Sequence, residues 1–194
     1  MLYTQQNLDR LLGTPGFSDT LLKNHFTLYG GYVTNVNKLV DELATLAKDG
    51  KQSTPQYAEM KRRFGWEWNG MKLHELYFGN MANGGKALDP NSALATKLKD
   101  QFGSHEAWEK DFRATGAMRG IGWSILYHDS ANDSLFNTWV NEHDMGHLAG
   151  CTPLLVLDVF EHAYITDYGI KRADYIEAFF KAIDWEVVGT RFSK

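Results

Sequence analysis

The sequence predicts an α+β fold in which an N-terminal helical hairpin precedes a region that mixes helices with strands. Two observations support this prediction. Apolar residues recur at steps of three and four through the first half of the chain, which is typical of amphipathic helices. The second half adds short runs of β-branched and aromatic residues around turn signals. We therefore expect a helical hairpin domain over residues 1–85 and a C-terminal α/β domain over residues 90–194.

The hairpin consists of two long helices. The first is predicted from Asp19, a candidate N-cap, to Gly50, and the adjacent Gly30 and Gly31 indicate a kink or a close backbone approach within it. The polar loop DGKQSTP leads to a second helix over residues 55–78. Two long helices joined by a short loop pair in antiparallel fashion.

The second half of the chain is predicted to contain both helices and strands. A linker rich in Gly and Asn precedes it, and no internal repeat is present. The predicted elements are two amphipathic helices (91–102 and 104–118), a β-hairpin (122–129 and 135–140), a short buried strand (153–158) and a helix–turn–helix tail (161–188).

The composition is ordinary for a soluble globular protein, with 43% hydrophobic and 23% charged residues. No apolar run approaches the roughly 20 residues of a membrane helix, and the first residues lack the pattern of a signal peptide. A net charge of −4 argues against nucleic-acid binding. The single cysteine, Cys151, excludes an intrachain disulfide and is expected to be buried. We expect a cytoplasmic protein with no membrane or nucleic-acid partner.

Two of the seven histidines lie on the apolar stripes of the two hairpin helices. Taken singly, His25 and His74 are each more typical of a core histidine. As a pair on facing helices, they fit a role as metal ligands about as well as a role in the core.

A carboxylate near the end of the chain extends this hypothesis. Asp158 directly follows the apolar run PLLVL, and His162 lies four residues later. The D-x-x-x-H spacing alone is a weak signal, but a buried carboxylate needs a compensating partner, which a metal ion supplies. Three imidazoles and one carboxylate suit iron, manganese or zinc, and the lack of cysteine ligands argues against structural zinc.

His143 and His147 form another histidine pair, four residues apart in NEHDMGHLAG. A polar loop with solvated histidines is the favoured interpretation over a separate zinc-like site. In a third interpretation, His143 lies next to the metal ligands and supports the site without binding the metal itself.

Several blocks of the chain resemble the iron/manganese superoxide dismutases, over about residues 21–185. The most specific are the G-x-G-W motif at residues 120–123 and DVFEHAY, which is close to the family pattern D-V-W-E-H-A-Y. The resemblance implies a helical hairpin followed by a C-terminal α/β domain with a small antiparallel sheet. It also implies superoxide as substrate, one iron or manganese ion per subunit, and a homodimer or dimer of dimers.

The family's functional residues can be carried over one by one. The metal ligands fall on His25, His74, Asp158 and His162. The resemblance further assigns Tyr32 as the tyrosine at the substrate gateway, Trp123 as a wall of the pocket, and Glu161 as the partner of a ligand histidine of the other subunit. The family's solvent-binding glutamine is absent, because its helix position is Gly70 and its sheet position falls at or near His143. His143 is therefore the candidate partner of the metal-bound solvent.

The chain also departs from the family pattern at the gateway. Tyr29 stands where a second helix histidine is usual, Ile165 replaces a tyrosine that crosses the dimer, and Phe160 replaces a tryptophan. The segment from His25 to Tyr32 is one residue shorter than usual, which the loss of a helix bulge would explain. A metal-binding family member with little dismutase activity is therefore an alternative, as is a helical interaction module with core histidines. Candidates for steering an anionic substrate are Lys23, Lys38 and Arg172.

Overall fold

The computed structural model describes residues 2–193 and contains seven α-helices and one three-stranded sheet within them. The predicted α+β architecture is confirmed: the helical hairpin comes first and the small antiparallel sheet lies in the C-terminal half. In chain order the elements are α1 (Asp19–Lys48), α2 (Pro55–Gly79), α3 (Ala93–Phe102), α4 (His105–Gly116), β1 (Gly122–Asp129), β2 (Ser134–Asn141), β3 (Thr152–Asp158), α5 (Ile165–Tyr168), α6 (Arg172–Ala182) and α7 (Trp185–Phe192).

Hydroxyl side chains cap the starts of the first four helices. In each case the oxygen accepts a hydrogen bond from the backbone N–H of the third helical residue, which satisfies a donor that has no partner inside the helix. The cap of α1 is Ser18, so the prediction of Asp19 was wrong by one residue. In α2 the fixed backbone angle of Pro55 at the first helical position favours the same turn.

The two adjacent glycines do not interrupt α1, which is α-helical from end to end. The close approach at Gly30 comes from a side chain rather than from backbone. A Cβ atom at Gly30 would lie 2.6 Å from Oε1 of Gln5, whose amide nitrogen donates to the carbonyl of Phe26 at 3.0 Å. This position therefore lets the N-terminal segment lie against the helix.

The sheet has the strand order β2–β1–β3, and both pairings are antiparallel. Trp123 at the start of β1 pairs with Val140 on one side and with Asp158 on the other. The last residue of β3 is thus fixed beside the first residues of the central strand.

One apolar core joins the hairpin to the sheet and the C-terminal helices. Residues 154–157 of β3 are fully buried, because α2 and α7 both pack against this strand. Cys151 is partly rather than fully buried. The boundary predicted between residues 85 and 90 lies in irregular structure, and the division into two domains stays a prediction.

The tail is more divided than the predicted helix–turn–helix. A single 3₁₀ turn over Glu161–Ala163 and the one-turn α5 precede α6. Ile183 then takes an extended conformation, and Asp184 caps a separate α7 by accepting from the backbone N–H of Val187. Within residues 2–193, no helix is both long and apolar enough to cross a membrane.

Candidate metal centre

Four side chains from the two halves of the fold converge at one point. Each of His25 on α1, His74 on α2, Asp158 at the end of β3 and His162 in the 3₁₀ turn offers one ligand atom, and these atoms all lie within 4.8 Å of one another. The first three residues are buried, and the side chain of His162 is 29% exposed. Asn24, next to His25, is exposed and takes no part.

The three imidazoles point the same nitrogen at the same oxygen. The Nε2 atoms of His25, His162 and His74 lie 3.2, 3.3 and 3.5 Å from Oδ2 of Asp158. The other carboxylate oxygen accepts a hydrogen bond from the backbone N–H of Phe160 at 2.8 Å. That bond turns Oδ2 toward the histidines.

The state of His74 shows that a cation fits this arrangement. Its Nδ1 lies 2.5 Å from the carbonyl oxygen of Gly70, which can only accept, so Nδ1 carries the proton. Nε2 then presents a lone pair, and it is buried with no hydrogen-bond partner among residues 2–193. Such an atom costs about 1–3 kcal/mol, and it faces another lone pair on Asp158. A metal ion accepts both lone pairs.

Electrostatics favours the protonation states that metal binding needs. Burial lowers the pKa of His25, and burial together with the neighbouring His25 lowers the pKa of His74 further, so both rings stay neutral. Burial alone would raise the pKa of Asp158. Electrostatic interaction with His162, together with hydrogen bonds to His162 and His25, outweighs burial and holds that pKa well below its ordinary value. Neutral imidazoles and an ionised carboxylate form a suitable set for iron or manganese.

Aromatic side chains enclose this cluster. The ring centroids of His74 and Trp123 lie 5.0 Å apart, and those of His25 and Tyr77 lie 5.4 Å apart. Trp123 and Tyr77 are both fully buried. Phe160, which replaces the usual tryptophan, stacks on His162 at 5.1 Å. The four polar side chains therefore lie in a largely apolar surrounding.

A hydrogen-bonded chain runs from Trp123 through His143 to Tyr32. Trp123 Nε1, which can only donate, lies 3.1 Å from Nδ1 of His143. Burial lowers the pKa of His143 to about 4, so the ring is neutral and carries its one proton on Nε2. Nε2 lies 2.7 Å from the hydroxyl oxygen of Tyr32 and must donate to it. We assign the tautomer from this network, and it leaves the hydroxyl proton of Tyr32 free to point elsewhere.

This bonding bears on two expectations for the histidine pair. His143 is fully buried, so the interpretation as a solvated loop residue was wrong for it. Both of its ring nitrogens have protein partners, Trp123 and Tyr32. His147 bonds to the hydroxyl of Tyr127 at 2.8 Å and to the carbonyl of His143 at 2.8 Å, so the pair does not form a zinc-like site.

The departures at the gateway are accommodated in different ways. Tyr29 is buried and donates its hydroxyl to Glu75 at 3.2 Å, away from the cluster. Ile165 is 50% exposed, and Glu161 is also exposed, next to His162 in sequence. Neither side chain is among the four that converge.

The three basic residues suggested for steering have different environments. Arg172 donates to the carbonyls of Met118 and Gly120 at 2.6 and 2.8 Å, so its guanidinium holds a loop together. Lys38 pairs loosely with Glu42 at 3.8 Å on the surface. Lys23 is exposed on α1.

Sequence reasoning missed a small polar group beside Tyr32. Glu67 is 3% exposed, and it accepts hydrogen bonds from Arg63 at 2.7 Å and from Asn35 at 3.1 Å. Trp66 lies with its ring centroid 4.8 Å from that of His143. The available signal was the i, i+4 spacing of Arg63 and Glu67 on the helix that carries His74.

Gly70 was predicted to be unable to bond solvent, and the structure adds a steric reason for a glycine there. The ring of Tyr32 lies where a side chain at residue 70 would begin: a Cβ atom would be 2.5 Å from the Tyr32 ring. A larger residue at this position is therefore incompatible with the observed position of Tyr32.

We predict that Gly70→Ala displaces the Tyr32 ring and breaks its 2.7 Å contact with His143. Overpacking costs about 1–3 kcal/mol of unfolding free energy, which outweighs the roughly 1 kcal/mol gained from helix propensity. Gly65→Ala is the matched control on the same helix, because its added Cβ meets nothing within 4 Å. Urea unfolding and crystal structures of both variants test this, and an unmoved Tyr32 in Gly70→Ala would contradict it.

Comparison with known proteins gives a consistent result. The family model for the C-terminal domain of iron/manganese superoxide dismutases matches residues 90–191. A protein from Aquifex aeolicus (strain VF5) named superoxide dismutase [Fe] is 39% identical over 184 residues, covering 92% of this chain and 85% of the relative.

Relatives named for either metal are similarly distant. A superoxide dismutase [Fe] from Cupriavidus metallidurans (strain CH34) is 39% identical over 184 residues, with 92% of this chain and 89% of the relative covered. The protein named superoxide dismutase [Mn] 2 from Haloferax volcanii is 36% identical over 181 residues, with 93% and 89% covered.

Proposed function

The chain belongs to the iron/manganese superoxide dismutase family, and we propose that it is an active member whose iron or manganese ion is held by His25, His74, Asp158 and His162. It converts two superoxide ions and two protons into dioxygen and hydrogen peroxide. The observation that supports this most directly is the convergence of three Nε2 atoms on Oδ2 of Asp158, with Nε2 of His74 buried and unpartnered.

Bonds to the surrounding protein hold two of the four donors in place. When bound, iron or manganese supplies the redox chemistry, because each ion changes oxidation state by one electron. The carbonyl of Gly70 fixes the tautomer of His74, and the backbone N–H of Phe160 fixes the carboxylate of Asp158. Both bonds orient the ligands, and the one that His74 donates also raises the basicity of its Nε2. With only one negative carboxylate among the four donors, a bound divalent or trivalent ion would keep a net positive charge, which attracts an anionic substrate.

The second task of the protein is to deliver protons to a substrate that becomes peroxide. Burial, with smaller contributions from Asp158 and Glu67, raises the pKa of Tyr32 to about 12, so the hydroxyl remains protonated at neutral pH. Because His143 donates to the Tyr32 oxygen, Tyr32 is left to donate its own proton. We propose that Tyr32 is the proton donor nearest the substrate, that His143 acts on solvent at the centre through Tyr32, and that Trp123 fixes the His143 tautomer.

We predict that the purified protein contains iron or manganese and that His74→Ala or Asp158→Asn loses it, together with dismutation above the uncatalysed rate. The first change removes a buried nitrogen donor, and the second removes the buried negative charge that the neutral imidazoles cannot replace. The measurements are elemental analysis and inhibition of cytochrome c reduction by enzymatically generated superoxide.

His105→Ala is the matched control for the metal prediction. Nε2 of His105 is also buried without a hydrogen-bond partner, but this residue lies outside the cluster, so its replacement should leave the metal bound. An unmodified chain without metal would contradict the proposed site. A chain loaded in turn with each metal but inactive would favour the alternative of a metal-binding protein with little dismutase activity.

We predict that Trp123→Phe lowers the dismutation rate by up to about tenfold while the metal stays bound. The change removes the donor that fixes the His143 tautomer, and one hydrogen bond of about 1 kcal/mol corresponds to a rate change of that order. Trp108→Phe is the control, since Trp108 is equally buried and donates to Asn137 at 3.0 Å away from the cluster. Equal losses in the two variants would argue against the assignment.

We further propose a homodimer as the basic assembly, in the cytoplasm. Exposed apolar side chains of Met118, Ile165 and Ile170 line one groove together with Glu161, and Ile170 is 97% exposed. An apolar patch next to a carboxylate that neighbours His162 fits a surface shared with a second copy of the chain.

The proposed cytoplasmic location is supported by cysteine usage. The lone cysteine, Cys151, is typical of proteins in reducing compartments.

Ile170→Glu is expected to shift the protein from dimer to monomer, because it places a charge in the apolar part of this groove. Phe136→Glu on β2 is the control, since Phe136 is 44% exposed and lies outside the groove. Sedimentation velocity measures the change. A monomeric unmodified chain, or an Ile170→Glu variant that remains dimeric, would overturn the proposal.

A further inference from the structure

A hydrogen-bonded group behind the metal cluster joins the two elements that carry His74 and Asp158. It is centred on Asn80, the residue that follows α2, which is fully buried. Asn80 Nδ2 donates to the carbonyls of Tyr77 in α2 and Val156 in β3, at 2.9 and 3.2 Å. Oδ1 of Asn80 accepts from the backbone N–H of Val156 at 2.9 Å. One side chain thus connects the end of the helix to the middle of the strand.

Arg191 on α7 adds a second connection between the same elements. Its Nη2 donates to the carbonyl of Leu76 in α2 at 2.9 Å. Its Nη1 donates to the carbonyl of Leu154 in β3 at 2.7 Å and to Oδ1 of Asn80 at 3.2 Å. The planar guanidinium suits this forked contact, which a lysine ammonium cannot reproduce.

The location of Arg191 is costly for a charged group. Burial lowers its pKa to about 10, so it stays charged at neutral pH, and no carboxylate within residues 2–193 forms an ion pair with it. Its described side-chain partners are three uncharged oxygens. A largely buried cation bound only by such oxygens is a demanding way to stabilise a fold, which suggests a more specific role.

The bonded carbonyls lie close in sequence to the ligands. Leu76 comes two residues after His74, and Val156 comes two residues before Asp158. A slip of one residue along a helix moves a side chain by about 1.5 Å. Ligand distances must be held within about 0.2 Å for a well-formed metal site. Bonds that prevent α2 from sliding along β3 therefore keep His74 at the required distance from Asp158.

We propose that Arg191 and Asn80 form a positioning clamp that sets the register of α2 against β3, and through it the geometry of His74 and Asp158 at the metal. This inference rests on the proposed metal site. The two residues are positioning residues, since neither is among the four donors that converge at the site.

Arg10 provides a matched control within the same chain. Its guanidinium donates to the carbonyls of Phe78 and Met81 at 2.7 and 2.6 Å, so it also binds carbonyls at the C-terminal end of α2. Neither of these bonds reaches β3. Arg10→Met and Arg191→Met therefore both remove carbonyl contacts at the end of α2, but only Arg191→Met removes the link to the strand.

The test compares manganese-loaded and metal-free forms of the unmodified protein, Arg191→Met, Arg191→Lys and Arg10→Met. Urea unfolding of the metal-free forms gives the stability lost in each variant. Visible absorption of the oxidised manganese form reports ligand geometry, and the rate of manganese transfer to a chelator reports retention. We expect Arg191→Met to release manganese about tenfold faster than Arg10→Met at comparable loss of stability, with a shifted absorption band. Arg191→Lys should retain the fold yet release manganese faster than the unmodified protein.

The outcomes separate the two levels of inference. An unmodified protein that binds no manganese or iron overturns the proposed site itself. A metal-binding protein in which Arg191→Met and Arg191→Lys keep the unmodified spectrum and release rate overturns the clamp. The clamp is also overturned if Arg10→Met and Arg191→Met accelerate manganese release equally, because Arg191 would then act only as a cap at the end of α2.

Discussion

The buried carboxylate of Asp158, facing three imidazole nitrogens, is the constraint on which the rest of the structure depends. An ionised group in an apolar surrounding is unfavourable unless every direction around it is compensated. The backbone N–H of Phe160 satisfies one oxygen, and the hydroxyl of Tyr175 donates to the residue's own carbonyl at 2.7 Å. Only Oδ2 is left facing the histidines, so the surrounding protein directs its charge to one point.

Gly70 shows how a single small residue can couple the proposed metal ligands to the proposed proton donor. Its carbonyl fixes His74, while its missing side chain makes room for the ring of Tyr32. With no side chain available on α2, the polar partner of Tyr32 comes from the loop after β2, as His143. An imidazole with one proton can donate in one direction only, whereas a glutamine amide can donate in two. That difference supports the proposed role of Tyr32 as proton donor.

The elements and the four convergent residues could be predicted because their signals are local or belong to a family pattern. Apolar periodicity located α1 and α2, and PLLVLD located β3 with Asp158 at its end. The bonds of Arg191, His143 and Gly70 could not be predicted in the same way. Arg191 and Asn80 are 111 residues apart, as are Tyr32 and His143, and no spacing rule encodes such a contact. The split tail depends on the extended backbone at Ile183, which no turn residue announces.

The order of the four convergent residues along the chain has a consequence for biosynthesis. His25 and His74 are translated before the sheet, whereas Asp158 and His162 follow only after β1 and β2. The helical hairpin alone offers two imidazoles and no carboxylate from this set. The full set of four side chains is therefore assembled only when β3 and the turn that follows it dock against the hairpin, so the order of synthesis makes metal binding a late event.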